Sequence, residues 1–261
     1  MIELKNHSEH TLHVSIYNVI LKLFAECPID KSNIHMATTK LLKLLIFIAI
    51  VIASLSFLAR GLFTLNYIGP KLLTFFDVDQ EKNLPTWYSS IQLSVAGLLC
   101  LLIYLFEKYS SKITIVSRLF WIGLGLTFLF LSLDELVQLH EIFDHRGLFG
   151  ITKHARWYVY YIPITVIFII IFSLFSRIIF KNKSHILKYF CVGGVIFLAA
   201  ALCGDMVKEI IFSHKSLSSI PAILTIQTTI EEFMEMIGIS ICLTSILEFL
   251  INQIKTELLL E

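Results

Sequence analysis

Six long apolar stretches, at residues 41–65, 86–107, 115–139, 157–180, 186–212 and 220–251, limit the fold of this chain more than any other feature. A hydrocarbon layer about 30 Å thick is crossed by roughly 20 helical residues rising 1.5 Å each, and every stretch reaches that length. Lipid offers no hydrogen bonds to a backbone, so a crossing segment must be a helix or part of a closed barrel. Barrel strands would be short alternating segments separated by frequent turns. Here Phe is abundant, at 21 residues, while Gly (11) and Pro (5) are sparse. The fold class read from this pattern is all-α, a polytopic membrane helical bundle of six transmembrane helices.

The chain opens with the polar stretch MIELKNHSEHT and shows no cleavable signal peptide before the first apolar run. Residues 1–40 read as a cytoplasmic arm in which Leu12, Ile16, Val19, Ile20, Leu23 and Phe24 recur at helical intervals, the pattern of a surface helix. Residues 41–251 form one membrane domain without a linker or internal repeat, and 252–261 a short cytoplasmic tail. More Lys and Arg flank the spans on the side of the amino terminus, including Lys108, Lys112, Arg177, Lys181 and Lys183, whereas the first opposite loop carries Asp77, Asp79 and Glu81. The positive-inside rule then places both termini in the cytoplasm, and the expected location is a bacterial inner membrane. A net charge of +1 and the absence of a basic tract interleaved with aromatics speak against nucleic acid as a partner. Four of the five cysteines fall in the spans and read as small buried hydrophobes rather than disulfides.

Acidic residues interrupt the apolar stretches. Asp134 and Glu135 lie in LFLSLDELVQLHE, Asp205 in FLAAALCGDMVKE, and Glu231, Glu232 and Glu235 in TIQTTIEEFMEMIG. An ionised carboxylate in hydrocarbon costs roughly 2.5–3.5 kcal/mol on insertion scales, so such groups mark cavities, ion sites or proton relays. With alternating spans, all three groups fall in the outer half to the middle of the membrane. Helical spacing gives Asp134, Gln138 and Glu141 one face, and Glu231 and Glu235 another. Glu135 and Glu232 point about 100° away, as a supporting layer of the cavity. Clustered carboxylates raise one another's pKa unless protons or a cation intervene. Imidazoles at His140 and His145 favour Zn, Mn or Fe over an all-oxygen ion, with Asp134, His140, His145, Asp205 and Glu231 as the expected metal ligands. The inner halves of the spans show no corresponding polar path.

Other groups could line the same cavity. LPTWYSSIQ offers Trp87 and Tyr88 as interfacial anchors and Ser89, Ser90 and Gln92 as polar lining, Ser90 being a candidate hydroxyl ligand or nucleophile. Gly123, Gly125, Gly193, Gly194, Gly204 and Gly238 would let the acid-bearing helices approach closely.

At Ser132-Leu133-Asp134-Glu135 followed by His140-Glu141, at Glu231-Glu232, Glu235-Met236 and Gly238, and at Asn83-Leu84-Pro85-Thr86-Trp87, the chain resembles a poorly characterised family of bacterial six-span membrane proteins. That resemblance covers about residues 40–250 and implies the fold without supplying a biochemistry. Ser132 and Asp134 also resemble, loosely, the zinc arrangement of alkaline ceramidase-like membrane hydrolases, whose closing His-x-x-x-His pair is missing here.

The expected function is a metal-dependent hydrolase acting on membrane lipid or a lipid-like substrate. Glu235 or Glu141 would take the proton of a metal-bound water whose pKa the cation lowers. A proton- or cation-coupled transporter is the main alternative, and a non-catalytic assembly or sensory protein the third.

Overall fold

A computed structural model describes residues 31–80, 82–109, 114–139, 157–181, 183–213 and 220–258. Seven helices are described: α1 (Lys31–Thr64), α2 (Pro70–Phe76), α3 (Leu84–Tyr109), α4 (Ile115–Val137), α5 (Trp157–Ile179), α6 (Ser184–Ser213) and α7 (Ile220–Leu258). All except α2 are long and apolar enough to cross a membrane, and no strand occurs among the described residues. The protein is a multi-pass membrane protein. The helix expected over residues 12–24 lies outside the described residues.

The first span begins ten residues before its apolar run. Residues 31–40 are polar, yet Ile34 and Thr38 are buried and Thr38 bonds to Glu248 of α7, so contact with a neighbouring helix extends α1. At 39 residues, α7 is roughly 58 Å long and continues past the apolar stretch at its carboxyl end.

α7 is the axis of the bundle. It packs against α6, α1 and α3; α4 lies beyond α3 and pairs mainly with it; α5 is attached at the edge. In the most apolar 18-residue window of each span, 67% of α7 is buried but only 6% of α5. Large apolar side chains such as Phe47, Phe57, Ile164 and Leu174 are more than half exposed. That much open hydrocarbon suits a lipid surround, which is as apolar as the side chains themselves.

Two glycine contacts set the closest helix pairs. A Cβ on Gly238 would stand 2.6 Å from Phe197 N and 2.8 Å from the Gly193 carbonyl, so α6 and α7 meet backbone to backbone. α3 and α4 do the same across Gly97 and Gly125, where an added Cβ would come within 3.1 Å of the opposing carbonyl. Gly123 and Gly194 face open space and contribute no such contact. Towards one end, the gap between α4, α5, α6 and α7 is filled by aromatic rings, with Trp121 4.7 Å from Phe249 and Phe172 5.3 Å from Phe190. Packing there is dense and mainly aromatic, with the buried Glu107 beside Trp121.

Candidate intramembrane carboxylate site

Alternating helix directions place the carboxyl end of α1 and the amino ends of α3 and α7 together; this is called the Arg60 end below. Arg60 donates from Nε and Nη2 to Asp77 Oδ1 at 2.9 and 2.6 Å, and reaches Asp79 and Thr225 of α7 at 3.1 Å each. Asp77 is only 4% exposed, and a guanidinium fork is the side chain best shaped to hold such a carboxylate. Next to it Asn83 Nδ2 reaches the carbonyls of Thr74, Asp77 and Gln80, while its Oδ1 accepts from Thr86 N–H at 3.2 Å. Asn83 therefore caps α3 and ties the α2 loop to it.

Deeper in the same half, Glu231 is 8% exposed and lies against Gly204 of α6. A Cβ at residue 204 would collide with the Glu231 carboxylate, so the glycine forms the notch in which that acid sits. Gln227, one turn earlier on α7, donates from Nε2 both to Glu231 Oε2 at 2.9 Å and to the Gly204 carbonyl at 3.0 Å. One amide thus clamps the acid to the neighbouring backbone. Asp205 follows Gly204 in sequence, which brings the α6 and α7 positions expected in the site next to each other; the Asp205 side chain lies outside the described residues.

Asp134 is 8% exposed while Leu133, Leu136 and Val137 around it face outward, so the acid is turned into the protein. It sits on α4, however, and α3 intervenes between most of α4 and α7. Three corrections follow, one at α4 and two at α3. α4 stops at Val137, and Gln138 adopts a left-handed conformation (φ 61°) with its N–H bonded to the Asp134 carbonyl at 2.8 Å. The expected face joining Asp134 to Gln138 and Glu141 is therefore broken, because a left-handed residue ends the 3.6-residue repeat. Ser90 is no free nucleophile: its hydroxyl contacts Ser132 Oγ at 2.9 Å and the Ser132 carbonyl at 3.0 Å, and Ser94 joins the same cluster at 2.7 Å. These three serines pin α3 to α4. Nor is Tyr88 an interfacial anchor; it is 8% exposed and donates to the Leu45 carbonyl at 2.7 Å, whereas Trp87, 57% exposed, fits that role.

His140, Glu141 and His145 lie outside the described residues. Glu135, Glu232 and Glu235 are half-buried. Among the described residues no three His, Cys, Asp or Glu side chains converge as a metal set. The cysteines at 100, 191, 203 and 242 are free thiols.

The halves of the spans away from the Arg60 end were expected to lack a polar path, yet they bury polar groups. Below Glu231 and Glu235, α7 buries Ser240, Thr244, Ser245 and Glu248, each no more than 7% exposed. Gln92 of α3 is 2% exposed and donates to Ser240 Oγ at 2.7 Å and to Tyr88 OH at 3.0 Å, while its Oε1 has no partner. At the far end Glu248 meets Thr38 and the imidazoles of His35 and His185. Nearby Glu107, 2% exposed, has Lys183 and Arg118 in electrostatic range. Lys183 bonds Gln253 at 2.9 Å and lies 3.9 Å over the Phe249 ring; burial lowers it to about 8, with Glu107 partly offsetting that shift. Sequence reasoning passed over Glu107 and Glu248 because both sit near span ends, where charge normally meets water. Their signal was helical phase: Ser240, Thr244 and Glu248 recur every four residues on α7.

Residues 43–249 match the family described as Domain of unknown function (DUF8692). The chain belongs to that family. No curated protein and no solved structure matches it. For this DUF8692 protein, then, functional argument begins from the carboxylates, since membership fixes relatives without fixing chemistry.

Proposed function

We propose that this protein moves protons or another small cation across the membrane, with Glu231 and Glu235 as the ion-binding carboxylates and Asp134 and Asp205 flanking them. One observation carries the reading: the most buried helix of the bundle hides polar side chains at two levels, Thr228 and Glu231 on one side of the fully buried Met236 and Ile239, and four more beyond them. Thr228, Glu231, Ser240, Thr244, Ser245 and Glu248 are all at most 8% exposed. From residue 228 to 248 the helix rises roughly 30 Å, the thickness of the hydrocarbon core. A helix that only had to pack would fill this axis with apolar side chains. Several hydroxyls here bond back to carbonyls of their own helix, as Ser240 does to Met236 and Thr244 to Ser240, yet each oxygen keeps acceptor capacity. Ser240 uses that capacity for Gln92.

In this reading the Arg60 end faces outward and both termini lie in the cytoplasm of a bacterial inner membrane. Glu231 alternates between an ion-bound and an ion-free state, and the Gln227 amide can stay with either. A divalent ion such as Zn, Mn or Fe is a second candidate cargo for the same carboxylates.

The test is flux in proteoliposomes carrying an internal pH indicator. Wild-type protein should dissipate an imposed gradient, and Glu231→Gln should slow it at least tenfold with the fold intact. Metal-dependent turnover of lipid without any flux would reject transport and install the membrane hydrolase in its place.

A further inference from the structure

We propose that Glu248, with His35 and His185, is a proton-exchange site at the end of the bundle opposite Glu231. Its use in transport rests on the reading above; the protonation it asserts does not.

Three helices converge on this carboxylate. His35 Nδ1 of α1 lies 3.4 Å from Oε1, His185 Nε2 of α6 lies 3.3 Å from the same oxygen, and Thr38 Oγ1 of α1 donates to Oε2 at 3.2 Å. Exposure is sharply uneven: the two imidazole side chains are 56% and 58% exposed, and the Glu248 side chain 9%. The exposed bases reach the buried acid. Each histidine turns one ring nitrogen to Glu248. In the exchange step a neutral imidazole passes the proton of the N–H facing Glu248 to Oε1 and takes a proton from solvent on its other nitrogen, so the carboxylate becomes a carboxylic acid and the ring stays neutral as the opposite tautomer. The reverse sequence returns the proton.

Thr38 lets the site tolerate both states. Its hydroxyl lies 3.1 Å from the Ile34 carbonyl and 3.1 Å from the His35 carbonyl, besides its contact with Glu248. When Glu248 is ionised, Thr38 donates to Oε2. Rotation of the carboxylic acid about its last torsion carries the proton received at Oε1 to the Thr38 side, where Glu248 donates to Thr38 Oγ1 and the hydroxyl hydrogen turns to a backbone carbonyl. Neither state leaves an orphaned buried group. Among the described residues, the neighbouring titratable groups are Tyr189, whose ring lies 6.5 Å from that of His35, and Lys183 of the turn before α6, which lies over Phe249 in electrostatic range of Glu107 of α3. Lys183 is committed to Gln253 and the Phe249 face.

Infrared difference spectra of the purified full-length protein after pH jumps read the site directly. The expected result is a carboxyl band, arising after the jump, that Glu248→Gln abolishes. His35→Gln with His185→Gln, which leaves Glu248 and Thr38 in place, should keep the band and slow its appearance at least tenfold. A band unaffected by Glu248→Gln, or an unchanged rate in the histidine double variant, overturns the proposal. Flux separates the two readings: loss of flux in Glu248→Gln liposomes supports the exchange site as part of the path, whereas a wild type with the band but no flux sinks transport and leaves the proton site standing.

Discussion

The two ends of the bundle bury carboxylates by opposite means. At the Arg60 end, Asp77 is held by a guanidinium that stays charged at every accessible pH. Glu231, deeper in that half, is clamped by a neutral amide in a glycine notch. At the other end, Glu248 is held by two imidazoles and a hydroxyl, all of which can change their proton arrangement. The difference separates fixed from adjustable charge. Arg60 and Asp77 tie α1 to the α2 loop, while Glu231 and Glu248, both on α7, have partners that accommodate more than one state.

The largest effect should come from breaking the fixed pair. Arg60→Leu leaves Asp77 buried without its cation, a loss of about 3–5 kcal/mol. The double variant with Asp77→Leu should recover much of it. Thermal unfolding in detergent checks this, and a single variant as stable as wild type would remove the distinction drawn between the two ends. Next in size is Gly204→Ala. The added methyl meets the movable Glu231 side chain rather than backbone, so stability should fall by only about 1 kcal/mol while flux falls at least tenfold. A fold loss as large as that of Arg60→Leu would show that Gly204 serves packing alone.

The smallest effect concerns Lys183. Its pKa in the folded protein is about 8, below the ordinary 10.5. Between those values the unfolded chain binds more protons than the folded one, so this residue makes stability rise with pH from about 8 to about 10.5. Below that window, where both states are protonated, burial of the charge is a constant cost. Lys183→Met should flatten the slope over this interval; an identical pH profile in the variant would show that the ammonium is solvated.

Apolar length and intramembrane acids were sufficient to determine six spans, a helical class, and Asp134 and Glu231 as inward-facing groups. These properties are local: hydrocarbon thickness sets span length, and the cost of exposing a carboxylate to lipid turns it inward. The sequence could not tell which helices are neighbours. Asp134 and Glu231 share a depth, yet α3 stands between most of α4 and α7, and a left-handed Gln138 breaks the face that helical spacing had drawn. Gly204 could be named as a close-approach residue, but not that Glu231 fills the space it leaves. Glu248 was not singled out, and only the start of α1 ten residues before its apolar run brings His35 and Thr38 onto it. Periodicity gives a residue its depth and its face, and only packing between helices decides which other residue that face meets.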